Sequence, residues 1–189
     1  MNLLSPIATT VSTICVFCSA SNAIDAHYLD MGEQVGSLIA SKGYRLVYGG
    51  GNCGIMGAVA RGALKKNGHV IGVFPKILKG LEEENNQLTE FITVLDMHTR
   101  KQTMFDLADA FIILPGGFGT LDETFEVITW KQLHTHQKPI IFYNYQEYWN
   151  LWIELSEHII GKQFAHSRTR TLYQVESDIE KVFSYFCAH

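Results

Sequence analysis

Pro115-Gly116-Gly117-Phe118-Gly119-Thr120-Leu121-Asp122-Glu123 is the stretch that decides how this chain folds. It follows Ala110-Phe111-Ile112-Ile113-Leu114, an unbroken apolar run of the kind that forms a strand covered on both faces. It precedes Leu121, Phe125 and Ile128, spaced as one apolar side of a helix. The segment therefore reads as strand, glycine-rich turn and helix start. Such a turn leaves backbone N–H groups free and aims them at one point, where phosphate is the usual occupant. Glu123 lies one helical turn beyond Thr120, so an acid stands beside a candidate anion site. That combination suggests a phosphorylated substrate and chemistry on it. The same Thr120-x-x-Glu123 spacing also fits a capping box, in which the carboxylate bonds back to the first turn. The glycines also fit a tight turn that needs positive φ.

Outward from this stretch, strands and helices alternate. Strands are predicted at Thr13–Cys18, Tyr44–Tyr48, His69–Phe74, Phe91–Leu95, Ala110–Leu114 and Pro139–Phe142. Helices are predicted at Asp25–Ser41, Gly54–Asn67, Thr99–Ala108, Thr120–Leu133, Gln146–Ile160 and Ser177–Phe186. This order predicts an α/β, Rossmann-like, doubly wound parallel sheet with helices on both faces. No linker or repeat divides it. Residues 13–189 read as a single domain, and residues 1–12 as a loose extension. Right-handed crossovers place every strand-to-helix turn at one edge of the sheet, where ligands of such folds bind. Three turns there stand out: Cys18-Ser19-Ala20-Ser21-Asn22, Gly49 to Gly57, and Pro115 to Thr120. Together they are expected to line one nucleotide pocket.

Composition narrows the partners. The 189 residues are 47% hydrophobic and 18% charged, with a net charge of −4. A mildly acidic chain without a basic stripe argues against binding a nucleic-acid polymer, but not against a small phosphorylated ligand. No apolar run approaches the roughly 18 residues of a membrane helix. Lys42 is the first lysine or arginine, so the amino-terminal segment lacks the charged start of a signal peptide. A cytoplasmic location is expected, with no membrane contact. Of the four cysteines, Cys15 and Cys18 fall on a predicted strand. Their odd separation points the thiols to opposite faces, which favours buried thiols over a redox or zinc motif. The eight histidines show no metal spacing, and no metal or organic cofactor is expected.

Gly49-x-Gly51-x-x-Gly54 matches the dinucleotide fingerprint. It follows the second strand rather than the first, however. The next strand also ends Val73-Phe74-Pro75-Lys76, without the acid that would hold a ribose. Farther on, Arg100 falls on the apolar side of its helix, between Met97 and Met104. A guanidinium so placed needs a partner: phosphate, a carboxylate such as Glu123, or a carboxylate of another subunit. Lys101, one step around the helix, reads as partly solvated. Glu82, Glu83 and Glu84 read as a solvated acidic run.

Three motifs in order, Gly49-Gly50-Gly51-Asn52-Cys53-Gly54-Ile55-Met56-Gly57, Met97-His98-Thr99-Arg100-Lys101 and Pro115 to Glu123, resemble the LOG (LONELY GUY) family. Its members are cytokinin riboside 5′-monophosphate phosphoribohydrolases, and many have carried the description lysine decarboxylase. The resemblance runs from about Ile14 to about Leu155. It implies a Rossmann-like homodimer with each active site near the subunit interface. It implies Arg100 and Glu123 as the catalytic pair. It implies nucleotide contacts at Glu82, at Lys101, and from Gly116 through Gly117, Phe118, Gly119, Thr120 and Leu121 to Asp122. Gly50, Gly51 and Ser19 are further candidates for substrate contact, with Ser19 standing where the family usually has glycine. A decarboxylase would need a Schiff-base lysine in the pocket, and Lys101 is the only lysine in the matched motifs.

The expected activity is hydrolysis of the N-glycosidic bond of adenosine 5′-monophosphate or an N6-modified relative, in the manner of an AMP nucleosidase. The products would be the free base, a cytokinin where N6 is modified, and ribose 5-phosphate. The alternative is a nucleotide-binding or carrier protein of the same fold without turnover.

Overall fold

The computed structural model describes residues 11–80 and 83–186. Its strands are β1 (Thr13–Phe17), β2 (Arg45–Tyr48), β3 (Val70–Pro75), β4 (Glu90–Val94), β5 (Ala110–Ile113), β6 (Ile140–Tyr143) and β7 (Gln174–Glu176). Its helices are α1 (Ala26–Ser41), α2 (Gly54–Lys65), α3 (Met97–Leu107), α4 (Phe118–Gln132), α5 (Asn150–Gly161) and α6 (Ile179–Ser184). The seven strands form one sheet in the order β4-β3-β2-β1-β5-β6-β7, and every pairing is parallel. Residues 1–10, most of the expected extension, lie outside the described residues, as do Glu82 and Cys187.

The core lies in two layers, one on each face of the sheet. Ile14, Val16, Leu46 and Tyr48 turn to the side packed by α1 and α2. Cys15, Phe17, Phe111 and Phe142 turn to the other side, against Met104, Val127 and Trp152. Cys15 and Cys18 therefore point to opposite faces, and burial pushes both thiols well above the ordinary thiol range. Neither is an activated nucleophile.

Strand order places the site. β1 pairs with β2 on one side and β5 on the other, so the chain winds outward in both directions from the β1/β5 boundary. At such a reversal the two following turns diverge and leave a crevice. The turn after β1 and the turn after β5 meet there, joined by the Ser19 amide donating to the Pro115 carbonyl at 3.2 Å. No helix among the described residues is long and apolar enough to cross a membrane.

Candidate active site

The crevice is a cleft of about 430 Å³. Cys18, Ser19 and Ala20 line it from the turn after β1, and Gly117, Gly119, Thr120 and Glu123 from the turn after β5 and α4. Met97 and Arg100 face it from α3, with Met56 of α2 and Leu78 completing the wall.

α4 begins earlier than the sequence reading placed it. Gly117 is its N-cap and Phe118 its first residue, so Thr120 and Glu123 both lie inside the helix. The capping-box reading fails for that reason, because Thr120 is not the cap and Glu123 lies beyond the first turn. Phe118, Gly119 and Thr120 supply the first amides, which have no carbonyl of their own helix to bond. A β-carbon at Gly117 or Gly119 would meet no protein atom within 4 Å, so packing within the chain does not require glycine at either position. Bare glycines at an open helix start permit close approach by a ligand. Gly116 is different: a β-carbon there would collide with the Thr120 side chain at 2.1 Å.

Arg100 and Glu123 meet on the cleft wall. Arg100 Nη1 lies 3.7 Å from Glu123 Oε1, an ion pair longer than a direct hydrogen bond. Arg100 is 5% exposed and Glu123 8%. The sequence reading gave Arg100 a carboxylate or phosphate partner. The structure adds two backbone acceptors: Nε donates to the Val73 carbonyl at 3.2 Å and Nη2 to the Gly49 carbonyl at 2.9 Å. The Val73 carbonyl of β3 and the Gly49 carbonyl just after β2 thus aim the guanidinium at Glu123. Gly49 must be glycine for this, since its β-carbon would sit 1.8 Å from Nη2. Burial pushes the Glu123 carboxyl up to about 7, against the pull of the Arg100 charge.

The remaining candidates are placed as follows. Ser19 lines the cleft, and its hydroxyl accepts the Ser21 amide at 3.1 Å. Phe118 is almost fully exposed beside the cleft, and Leu121 packs partly buried beneath α4. Lys101 does not join the cleft lining. Its side chain is only 11% exposed, and its ammonium reaches Asp122 at 3.1 Å and Glu126 at 3.3 Å, so it is paired between α3 and α4 rather than solvated. Gly50 and Gly51 turn to a backbone strap instead. The Asn85 amide donates to the Gly50 carbonyl, and Gly51 pairs with Glu84 in an isolated antiparallel bridge.

The same region explains why the dinucleotide fingerprint is not a phosphate seat. The Gly54 amide at the start of α2 already donates to Asn22 Oδ1 at 2.8 Å, and the Met56 amide to the Ser19 carbonyl at 3.1 Å. Met56 belongs to the Gly49–Gly57 turn expected at the pocket, and its side chain does line the cleft. Sequence reasoning missed Met97, read only as part of the apolar side of its helix, and Leu78, which carried no signal at all.

Comparison with known proteins gives a family. Residues 56–186 match the family model described as "Possible lysine decarboxylase". The chain is 41% identical over 189 residues to the cytokinin riboside 5′-monophosphate phosphoribohydrolase of Rhodococcoides fascians, covering 95% of this chain and 96% of that one. It is 40% identical over 157 residues to an Arabidopsis thaliana protein of the same name, covering 83% and 74%. Among solved structures, the molybdenum cofactor carrier protein of Chlamydomonas reinhardtii superposes with a TM-score of 0.67 at 19% identity, covering 93% and 95%, a likeness of fold alone. The decarboxylase description does not fit the cleft, because no lysine is among its described lining residues to hold pyridoxal phosphate. On family match, relatives and fold together, the chain belongs to the LOG family.

Proposed function

We propose that this chain hydrolyses the N-glycosidic bond of adenosine 5′-monophosphate or an N6-modified relative. The products are the free adenine-type base and ribose 5-phosphate. One observation carries the reading: a buried Arg100–Glu123 pair stands on the cleft wall beside the bare amino end of Glu123's own helix. The names of the relatives in Rhodococcoides fascians and Arabidopsis thaliana support the same chemistry.

In this reading the 5′-phosphate sits on the amides of Gly117 to Thr120, where the helix end supplies fixed positive potential. Glu123, farther along the same helix, then faces the sugar. As the bond from C1′ to the base nitrogen breaks, its electron pair leaves with the base and positive charge develops on the sugar. An ionised Glu123 stabilises that charge and takes a proton from the attacking water. Water oxygen bonds to C1′, and the proton passes to the departing base. A carboxyl with a pKa near 7 suits both receiving and returning that proton. Arg100 holds Glu123 in place. Lys101 and the Gly50–Gly51 turn stand behind this arrangement, and Glu82 lies outside the described residues. A homodimer and a compartment without membrane contact belong to the same proposal.

The test is incubation with AMP, isopentenyladenosine monophosphate and adenosine, followed by chromatography for free base. Release from a monophosphate but not from adenosine is the expected result, because the phosphate supplies binding energy that positions the sugar. Comparable kcat/KM for AMP and adenosine would remove the phosphate assignment. Tight binding of AMP without release of base would leave a carrier.

A further inference from the structure

We propose that Tyr148 is a positioning residue for the phosphate turn: its hydroxyl locks the Gly116–Gly117 peptide so that the Gly117 amide faces the cleft. The inference rests on reading the amino end of α4 as the phosphate seat.

The Tyr148 hydroxyl donates to the Gly116 carbonyl at 2.8 Å. In a trans peptide the carbonyl and the N–H of the next residue point in opposite directions. Drawing the Gly116 oxygen toward Tyr148 therefore turns the Gly117 N–H away from it. Gly117 is exposed, is the N-cap of α4, and lines the cleft. This peptide lies between two glycines, so no β-carbon restrains its rotation, and it is the unit of the turn most free to flip. A carbonyl that accepts a hydrogen bond also polarises its own amide, which strengthens that amide as a donor.

The loop that carries Tyr148 is built to hold it. Gln146 and Glu147 both adopt left-handed backbone, with φ of 48° and 62°, which side chains of their kind disfavour. Such conformations persist only where surrounding contacts fix them. Those contacts are present. Asn144 Oδ1 accepts the buried Trp149 amide at 2.7 Å, and Asn144 Nδ2 donates to Asn150 Oδ1 at 2.9 Å. The Trp149 indole is buried edge-on against Phe142, with ring centroids 5.3 Å apart. Tyr148 itself packs edge-on against Trp149 at 5.0 Å and Tyr28 at 6.0 Å. A phenol on the rim of the fold, half exposed, is thereby fixed against one backbone carbonyl of the turn.

Tyr148→Phe removes the hydroxyl and keeps the ring. The experiment measures binding of ribose 5-phosphate and of adenine by calorimetry, kcat and KM for AMP, and the melting temperature, for wild type and Tyr148→Phe. We expect ribose 5-phosphate to bind roughly tenfold more weakly, the scale of one well-placed hydrogen bond. KM for AMP should rise by a similar factor, more than kcat falls, while adenine binding and melting temperature stay unchanged. Unaltered ribose 5-phosphate binding would overturn the inference. So would equal weakening of adenine and ribose 5-phosphate, or a variant that fails to fold, since either makes the hydroxyl a general structural support. Wild-type protein that binds neither ribose 5-phosphate nor AMP would remove the phosphate seat itself, and the inference with it.

Discussion

Glu123 is a carboxyl whose charge burial resists, and that conflict is what makes it testable. Its pKa is pushed up to about 7, mainly by burial, with Asp122 and Glu126 adding to the rise and Arg100 and Lys101 opposing it. If the ionised carboxylate is the working form, kcat/KM should fall about tenfold per pH unit below pH 7. Glu123→Gln should lower kcat roughly 10²–10⁴-fold, the usual contribution of a positioned acid–base group. Stability gives a second, independent reading. The folded-state pKa lies above the ordinary carboxyl value of 4.5, so the folded protein holds the extra proton between those two limits. The stabilisation tied to that proton is complete below about pH 4.5 and is lost as pH rises through about 7. The melting temperature of Glu123→Gln should therefore improve relative to wild type as pH goes from 5 to 8. The opposite trend would mean that attraction to Arg100, rather than burial, governs the site. Near-normal turnover in Glu123→Gln would deprive the hydrolase proposal of its main residue.

At the scale of elements, what the sequence revealed depended on how strongly each element was patterned. Six strands were legible to within a residue or so, five because buried parallel strands are continuous apolar runs and the edge strand β4 because it is short and apolar-rich, with Phe91, Ile92 and Val94. β7 was not, because Gln174-Val175-Glu176 is a three-residue edge strand with one apolar side chain. The start of α4 was misplaced because Gly117 and Gly119 read as turn, although α4 has already begun at Phe118. α5 starts at Asn150 rather than Gln146 because Gln146 and Glu147 are left-handed, which nothing in their identity announces. Arg100 was legible as an apolar-side cation in need of a partner. Its carbonyl partners were not, since they depend on where β2 and β3 end. Lys101 shows the same limit. Its pairing with Asp122 and Glu126 across α3 and α4 conflicts with the nucleotide contact that the family resemblance implies. Lys101→Met separates the two, since it keeps the aliphatic stem and removes the charge. If the lysine only joins the helices, KM for AMP should change by less than roughly threefold, the scale of a partly exposed ion pair. The acid limb of the pH profile should move to higher pH, because one cation that favours ionised Glu123 is gone. A rise of about tenfold or more in KM, the scale of a charged hydrogen bond, would return Lys101 to the nucleotide.

At the scale of the whole molecule, exposed apolar side chains gather on one face built by α4, α5 and the segment after α5. Phe125, Trp130 and the Met97/Met104 side of α3 are the apolar positions that a second subunit could cover. The chain itself covers much of that: Met104 is fully buried, Trp130 packs edge-on against Phe105 at 4.8 Å, and Met97 faces the cleft. The largest exposed group lies on α4, α5 and the segment after α5. Phe125, Leu151, Leu155 and Phe164 are 43%, 77%, 48% and 89% exposed. Between α4 and α5, Phe125, Trp152 and Ile160 line an apolar depression of about 150 Å³. Exposed apolar side chains gathered on adjoining elements mark an interaction surface more often than an ordinary solvated face. A second copy of the chain is the simplest occupant, because a two-fold axis lets the same patch cover itself. We expect an isologous homodimer in solution at micromolar concentration, with this face at its centre. Leu151→Asp and Leu155→Asp should each shift light scattering from dimer to monomer, since burying an unpaired carboxylate in such an interface is strongly unfavourable. Both positions are exposed in the single chain, so neither change should unfold it, and the melting curve checks this. α4 also carries Glu123 on its opposite, buried side. If Glu123 acts as proposed, loss of the dimer should therefore loosen the helix that holds it and lower turnover in step with the monomer fraction. A wild-type chain that scatters as a monomer and remains fully active would remove the interface and its link to the site together.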